Sequence, residues 1–209
     1  FNVSRAAFEA LKDSKGQSSL RPDLVKTVFA KYPPVVREQS QDLLKALSVD
    51  TAKQAGHLDE LLPQLKEGDI RRGQILFNSQ KAACSSCHTV GYLGGKIGPD
   101  LTTIGQVRTE RDLLESIVYP SASFVRSYEP YIITTKSEET LSGVLKKDAP
   151  DEVVLATGPG AETRIARSDI TDVRPGVVSV MPAGLEEQLT KQELADLLAF
   201  LKSAKWGPR

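Results

Sequence analysis

The sequence contains few of the side chains that bind metals or form covalent links: two cysteines, two histidines and one methionine among 209 residues. Cysteines at positions 84 and 87 are too close to join distant parts of the chain, which excludes a fold stabilised by disulfides. Basic and acidic residues number 27 each, so the composition favours neither a nucleic-acid surface nor an acidic tail. No apolar run reaches the roughly 18 residues of a membrane-spanning helix, and the start at Phe1 lacks a signal-like segment. We therefore expect a mature protein or an excised fragment without a membrane span.

Residues 1–66 are predicted to be a helical region. Apolar side chains recur at spacings of three and four in FEALKD, LVKTVFAKY, VVREQSQDLLKALSV and HLDELLPQLKEG, with breaks at Gly16, Pro33-Pro34 and Gly56. This pattern indicates four short antiparallel helices. Their arrangement is compatible with the end of a helical-repeat array, although no repeat of the expected length, about 40 residues, is visible.

Residues 67–209 are predicted to form a second domain that is helical at both ends. It begins with IRRGQILFNSQKA, returns to helix in RDLLESIVYP and ends with LTKQELADLLAFLKSAKW, where Thr190 and Glu193 form a capping box. Between residues 128 and 177, the partly alternating segments YEPYIITTK, ETLSGVLKK, EVVLATG and ETRIARSDI predict antiparallel strands with tight turns. The expected fold is therefore mainly α, with a small antiparallel β insertion in the second domain (α+β).

The segment CSSCH contains both cysteines and one histidine, at Cys84, Cys87 and His88. Three kinds of site use cysteines at this spacing. A structural zinc site needs four ligands, usually from two such pairs, and no second pair exists. A thioredoxin-like dithiol needs a strand before the motif and a helix starting at it, whereas here a helix precedes the motif and a glycine-rich loop follows. The third possibility, covalent attachment of a c-type haem with His88 as an iron ligand, agrees best with these surroundings.

Two further residues are candidates for completing a haem site. An iron-binding histidine needs an acceptor for its other ring nitrogen, and Pro99 in GGKIGPDL offers a rigid carbonyl, with an ordinary Gly-Pro turn as the alternative. A second axial ligand would be Met or His, unless the position is open. Met181 is the single methionine and stands in a loop before the last helix, although a lone Met is often a core residue. His57, in the first region, is its competitor.

The first and last helices of the second domain are predicted to cross closely. Gly73 and Phe77 are four residues apart in the helix before CSSCH, and Leu197 and Phe200 lie in the last helix. Glycine allows two helix backbones to approach, and aromatic rings on either side hold the crossing. We expect this crossing to close the haem pocket.

With these residues in place, the segment from about Arg71 to Lys202 resembles class I cytochromes c in the order GQILF, CSSCHTV, GGKIGPDL, SVMP and ELADLLAFLKS. The resemblance implies that Cys84 and Cys87 bind haem, that His88 and Met181 ligate its iron, and that Pro99 orients His88. The β insertion makes the chain similar to a haem-binding domain typical of planctomycete and verrucomicrobial secreted proteins. That domain commonly ends a longer polypeptide with helical repeats and a sugar-dehydrogenase-like propeller.

The resemblance implies an electron-transfer module rather than an enzyme. We expect one covalent haem c that passes single electrons from a dehydrogenase domain or partner to a periplasmic acceptor. A haem enzyme or gas sensor with an open sixth position is the main alternative, and an interaction module with an incidental motif is the third. A periplasmic or otherwise exported location is expected because haem is attached outside the cytoplasmic membrane in bacteria.

Overall fold

The computed structural model describes residues 22–46, 51–65 and 67–205. The chain divides into two compact units, Phe1–His57 and Leu58–Arg209. The sequence predicts a domain boundary after residue 66, which stays a prediction. The helix predicted around FEALKD and its break at Gly16 lie outside the described residues, as does the tryptophan of the last helix.

The first unit contains short helices in its described part. Helix α1 is Pro22–Ala30 and α2 is Pro34–Ala46. Helix α3, Thr51–Leu61, begins in this unit and ends in the second, since the boundary falls after His57. Helix α2 begins at Pro34 because proline lacks the N–H that the first helical position leaves unused. The predicted break at Gly56 is wrong, since this glycine lies inside α3. Glycine costs about 1 kcal/mol in a helix, and the full burial of Leu58 in the same helix outweighs that cost.

The second unit contains six helices in its described part. They are α4 (Ile70–Phe77), α5 (Cys84–Cys87), α6 (Ile104–Val107), α7 (Glu110–Val118), α8 (Leu185–Gln188) and α9 (Lys191–Ser203), preceded by a 3-10 turn at Leu62–Gln64. Thr190 caps α9 and Glu193 completes the predicted capping box. A second capping box, formed by Thr109 and Asp112, begins α7. Helix α4 is shorter than predicted, because it ends before Asn78.

Helices α4 and α9 cross as the sequence analysis predicted. A Cβ on Gly73 would lie 1.9 Å from the backbone oxygen of Asp196, so only glycine fits at the crossing. The rings of Phe77 and Phe200 pack beside it with centroids 5.3 Å apart. Leu197, 1% exposed, belongs to the same core. The crossing therefore joins the two ends of the second unit around one apolar core.

Between α7 and α8 the chain forms a five-stranded antiparallel sheet. Its core residues, Ile133, Val153, Leu155 and Ile165, are separate from the helical core. A two-stranded ribbon follows the CSSCH segment. The ribbon consists of β1 (Thr89–Val90) and β2 (Leu93–Gly94). The large sheet consists of β3 (Pro130–Thr135), β4 (Thr140–Asp148), β5 (Glu152–Gly158), β6 (Ala161–Ala166) and β7 (Ile170–Pro175). Its strands lie in the order β6-β5-β4-β3-β7.

The expectation of a mainly α fold is wrong. The structure is 42% helix and 22% strand, so the fold is α+β. One cause is that ETRIARSDI, read as one strand, breaks at a 3-10 turn over Arg167–Asp169, after which β7 pairs with β3. The sheet thereby gains a fifth strand and a core of its own, and is a substantial layer rather than a small insertion. Within the described ranges, no helix combines the length and apolarity needed to cross a membrane.

Candidate functional site

The CSSCH segment forms a single helical turn, and the residue before it has an unusual backbone conformation. Ala83 before it has a left-handed backbone (φ 49°), which turns the chain sharply into α5. The His88 N–H donates to the Cys84 carbonyl at 2.9 Å, and His88 itself is extended. Both cysteines are free thiols of intermediate exposure. The turn therefore presents two thiols three residues apart, with the imidazole directly after them.

The His88 imidazole is oriented by the residue that the sequence analysis named. Its Nδ1 lies 2.8 Å from the Pro99 carbonyl oxygen. Because a carbonyl only accepts, Nδ1 carries the hydrogen and Nε2 keeps its lone pair. Burial lowers the pKa of His88, against the opposing effect of the Pro99 hydrogen bond, so the ring is neutral near pH 7. A neutral imidazole with one nitrogen held by a carbonyl is the form that binds a metal ion.

Three glycines that the sequence analysis did not assign bring the following loop onto this turn. A Cβ on Gly98 would lie 2.5 Å from His88 Cε1, and one on Gly95 would lie 2.0 Å from the Ser86 carbonyl oxygen. Gly94 has a positive φ of 124° and passes equally close to the His88 carbonyl. The glycine-rich pattern LGGKIG could be recognised in the sequence, but the atoms that these glycines approach could not be predicted from it.

The predicted site residues line one open cavity. Cys84, Cys87, His88, Pro99 and Met181 all contribute to its wall. The empty space between the lining atoms is about 1180 Å³, including the part open to solvent. The remaining wall is mainly apolar and includes Phe77, Leu101, Ile104, Leu113, Ile117, Leu185, Leu197 and Leu201.

The five-stranded sheet supplies part of this wall. Val144 of β4 is 1% exposed and lines the cavity, as does Tyr128 just before β3. The Lys146 ammonium donates to the Lys96 carbonyl at 2.7 Å and lies 5.4 Å from the centre of the Tyr128 ring. The sheet is therefore tied to the loop that follows the CSSCH segment, and it covers one side of the cavity.

Met181 reaches the cavity from the segment between β7 and α8. Its side chain is half-buried and packs against the helical core. Its backbone N–H donates to the Ser179 hydroxyl at 3.1 Å. The competing candidate, His57, is exposed on α3 and belongs to the first unit, whereas every residue of the cavity wall belongs to the second.

The two alternative cysteine chemistries lack support from the site. Burial raises the pKa of the Cys84 thiol to about 11, whereas a redox-active dithiol requires a lowered thiol pKa. Among the residues that the structure describes, no three His, Cys, Asp or Glu side chains are placed to hold a metal ion together. The donors that are present, two thiols, one oriented imidazole and one thioether around an apolar cavity, fit a covalently bound haem.

Comparison with known proteins adds no identification: no protein-family model matches the chain, and no curated protein shows a significant sequence match.

Proposed function

We propose that this chain is a c-type cytochrome that carries single electrons. The observation that supports it is one apolar cavity lined by both cysteine thiols, by an imidazole oriented through its Nδ1 and by the thioether of Met181. A bound haem would supply an iron that takes up and releases one electron. The similarity to class I cytochromes c and to the planctomycete-type haem domain supports the same proposal.

Each site residue has a distinct role in this proposal. Cys84 and Cys87 would hold haem through thioethers, and His88 Nε2 and the Met181 sulfur would bind its iron. The Pro99 carbonyl fixes the plane of the imidazole and makes its free nitrogen a stronger donor. The mainly apolar wall disfavours additional charge in the cavity.

The partners and the location belong to the same proposal. The electron donor would be a dehydrogenase domain or partner, and the acceptor another carrier outside the cytoplasmic membrane. Covalent haem attachment in bacteria takes place there, which favours a periplasmic or otherwise exported protein. No substrate is transformed at the site, so the chain acts as an electron-transfer module.

An optical spectrum tests the proposal. We expect the oxidised protein, produced in a host that matures c-type cytochromes, to show haem bands and a far-red sulfur-to-iron band. The C84S/C87S variant is the control and should lack covalent haem. Haem bands without the far-red band would favour a haem enzyme or gas sensor with an open or nitrogen-ligated sixth position. A wild-type protein without covalent haem would contradict the proposal.

Met181→Ala tests the second axial ligand. We expect the variant to keep covalent haem, lose the far-red band, bind carbon monoxide and show a lower reduction potential, because a thioether ligand raises the potential. The potential is measured by redox titration beside the wild type. An unchanged potential together with an unchanged affinity for carbon monoxide would exclude Met181 as a ligand.

A further inference from the structure

We propose that Ser121 and Ser179 form a hydrogen-bonded latch that holds the Met181 loop in place. The latch joins the segment before the five-stranded sheet to the segment after it. Ser121 is then a positioning residue for the thioether, acting through Ser179 and without touching the ligand itself. The proposal deepens the function proposed above and rests on it for the role of Met181.

Two hydrogen bonds in series make the latch. The Ser179 N–H donates to the Ser121 hydroxyl at 3.0 Å, across 58 positions of sequence. The Ser179 hydroxyl in turn accepts from the Met181 N–H at 3.1 Å. All three residues are of intermediate exposure, and Ser179 and Met181 line the cavity. The backbone of Met181 is thus connected, through two serines, to the chain that leaves α7.

The base of the sheet shows why this connection is possible. Strands β3 and β7 are antiparallel neighbours, with Tyr131 opposite Pro175. One step further, the Gly176 N–H donates to the Pro130 carbonyl at 2.7 Å. The chain therefore enters and leaves the sheet side by side. The hydrogen bond between Ser121 and Ser179 joins the same two segments of chain at positions outside the sheet.

The Met181 loop needs such an anchor because it has little regular structure. Between Gly176 and Gly184 the chain is neither helix nor strand. Pro182, directly after Met181, has no N–H with which to hold the loop. A weak axial ligand on an unanchored loop would leave its position for part of the time. The latch limits the movement of the backbone on the N-terminal side of the ligand.

The test is Ser121→Ala, with Ser121→Thr as the conservative variant that keeps a hydroxyl. Ser142→Ala is the matched control, because Ser142 on β4 is also of intermediate exposure, does not line the cavity, and its hydroxyl makes no hydrogen bond in the described part of the chain. Imidazole is titrated into the oxidised, haem-loaded protein. It competes for the sixth position, so its apparent affinity rises with the population in which Met181 has left.

We expect Ser121→Ala to bind imidazole roughly 2- to 12-fold more tightly, which corresponds to the loss of one ordinary hydrogen bond. Ser121→Thr and Ser142→Ala should match the wild type. Ser179→Ala, which removes the acceptor for the Met181 N–H, should act in the same direction as Ser121→Ala and provides the test should Ser121→Ala fail to fold. Wild-type imidazole affinity in both alanine variants would overturn the latch.

Amide hydrogen exchange separates this proposal from the function it rests on. The Ser179 and Met181 N–H groups should exchange faster in Ser121→Ala than in Ser142→Ala, measured on the purified protein whatever its haem content. If the wild type carries no haem, the proposed function fails, while exchange at Ser179 still reports on the latch. Equal exchange at Ser179 in the two variants would overturn it.

Discussion

At the scale of single residues, the His88 ring is held between a carbonyl and a glycine. The Pro99 oxygen accepts a hydrogen bond from Nδ1, and Gly98 lies against the ring. The Gly98 N–H donates to the Cys87 carbonyl at 2.9 Å. The φ of Gly98 is not in the left-handed region. Glycine is therefore required at this position by contact and not by backbone conformation.

Gly98→Ala should displace the imidazole or the loop that carries Pro99. The added Cβ would lie 2.5 Å from His88 Cε1, and the adjustment should lower the free energy of unfolding by about 1–3 kcal/mol, as overpacking usually does. Denaturant unfolding measures the change. Gly158→Ala is the control, since its nearest neighbour would be Ala161 Cβ at 3.9 Å. Equal stability of the two variants would show that the ring and the loop adjust freely.

At the scale of secondary-structure elements, the crossing of α4 and α9 combines close packing with a buried carboxylate. Asp196 is 3% exposed and accepts two hydrogen bonds from the Arg72 guanidinium, at 2.7 and 2.8 Å. It also accepts from the Asp69 N–H and from the Gln192 amide. The hydrogen bonds from Arg72 are the main reason that the pKa of Asp196 is lowered to about 2.

The crossing should therefore weaken in acid. Because the pKa of Asp196 is lowered on folding, its ionised carboxylate stabilises the folded state at pH values above 3.8, the ordinary pKa of the group. That stabilisation is lost as the pH falls toward 2. Asp196→Asn should lower the free energy of unfolding at pH 7 by about 2 kcal/mol. The difference from the wild type should shrink between pH 4 and pH 2.

Unfolding of both proteins across this pH range measures the effect. Glu187→Gln is the control, because Glu187 is exposed and makes no hydrogen bond or ion pair within the described ranges. This variant should follow the wild type in acid. If the free energy of unfolding differed between Asp196→Asn and the wild type by the same amount from pH 7 to pH 2, the loss of stability in acid could not be assigned to this carboxylate.

At the scale of the whole molecule, the cavity belongs to one compact unit. Every lining residue lies between Phe77 and Leu201, inside Leu58–Arg209. This unit has its own helical core, which includes the fully buried Leu58, and a separate core on the sheet. The second unit therefore contains both the residues that line the cavity and the two cores that support them.

Deletion of residues 1–50 should leave the proposed haem site intact. The shortened chain keeps α3, and with it Leu58, so we expect the same haem bands and the same far-red band as in the full chain. Its unfolding midpoint should stay within about 4 °C of the full-length value, a shift that corresponds to roughly 1 kcal/mol. Absorbance during a thermal scan checks both points. Loss of the far-red band on deletion would show that the first unit contributes to the site.

Short-range patterns in the sequence were sufficient for the parts of the protein that depend on neighbouring residues. The spacing of Cys84, Cys87 and His88 limited the chemistry to three kinds of site. The capping box at Thr190 and Glu193 marked the start of α9, and the glycine and aromatic residues on α4 and α9 predicted their crossing. Capping hydrogen bonds and the periodic spacing of apolar side chains involve residues only a few positions apart, so they can be predicted without knowledge of the fold.

Contacts between distant segments could not be read in the same way. The pairing of β7 with β3, the approach of Gly98 to His88 and the bond between Ser121 and Ser179 depend on the path of the chain in space. Propensity also misled at Gly56, where burial of a nearby leucine outweighs a local preference. Residues far apart in sequence meet only after the chain has folded. The proposed cofactor chemistry was therefore predictable from local spacing, whereas the shape of the cavity and the hydrogen bonds beside Met181 depend on tertiary contacts.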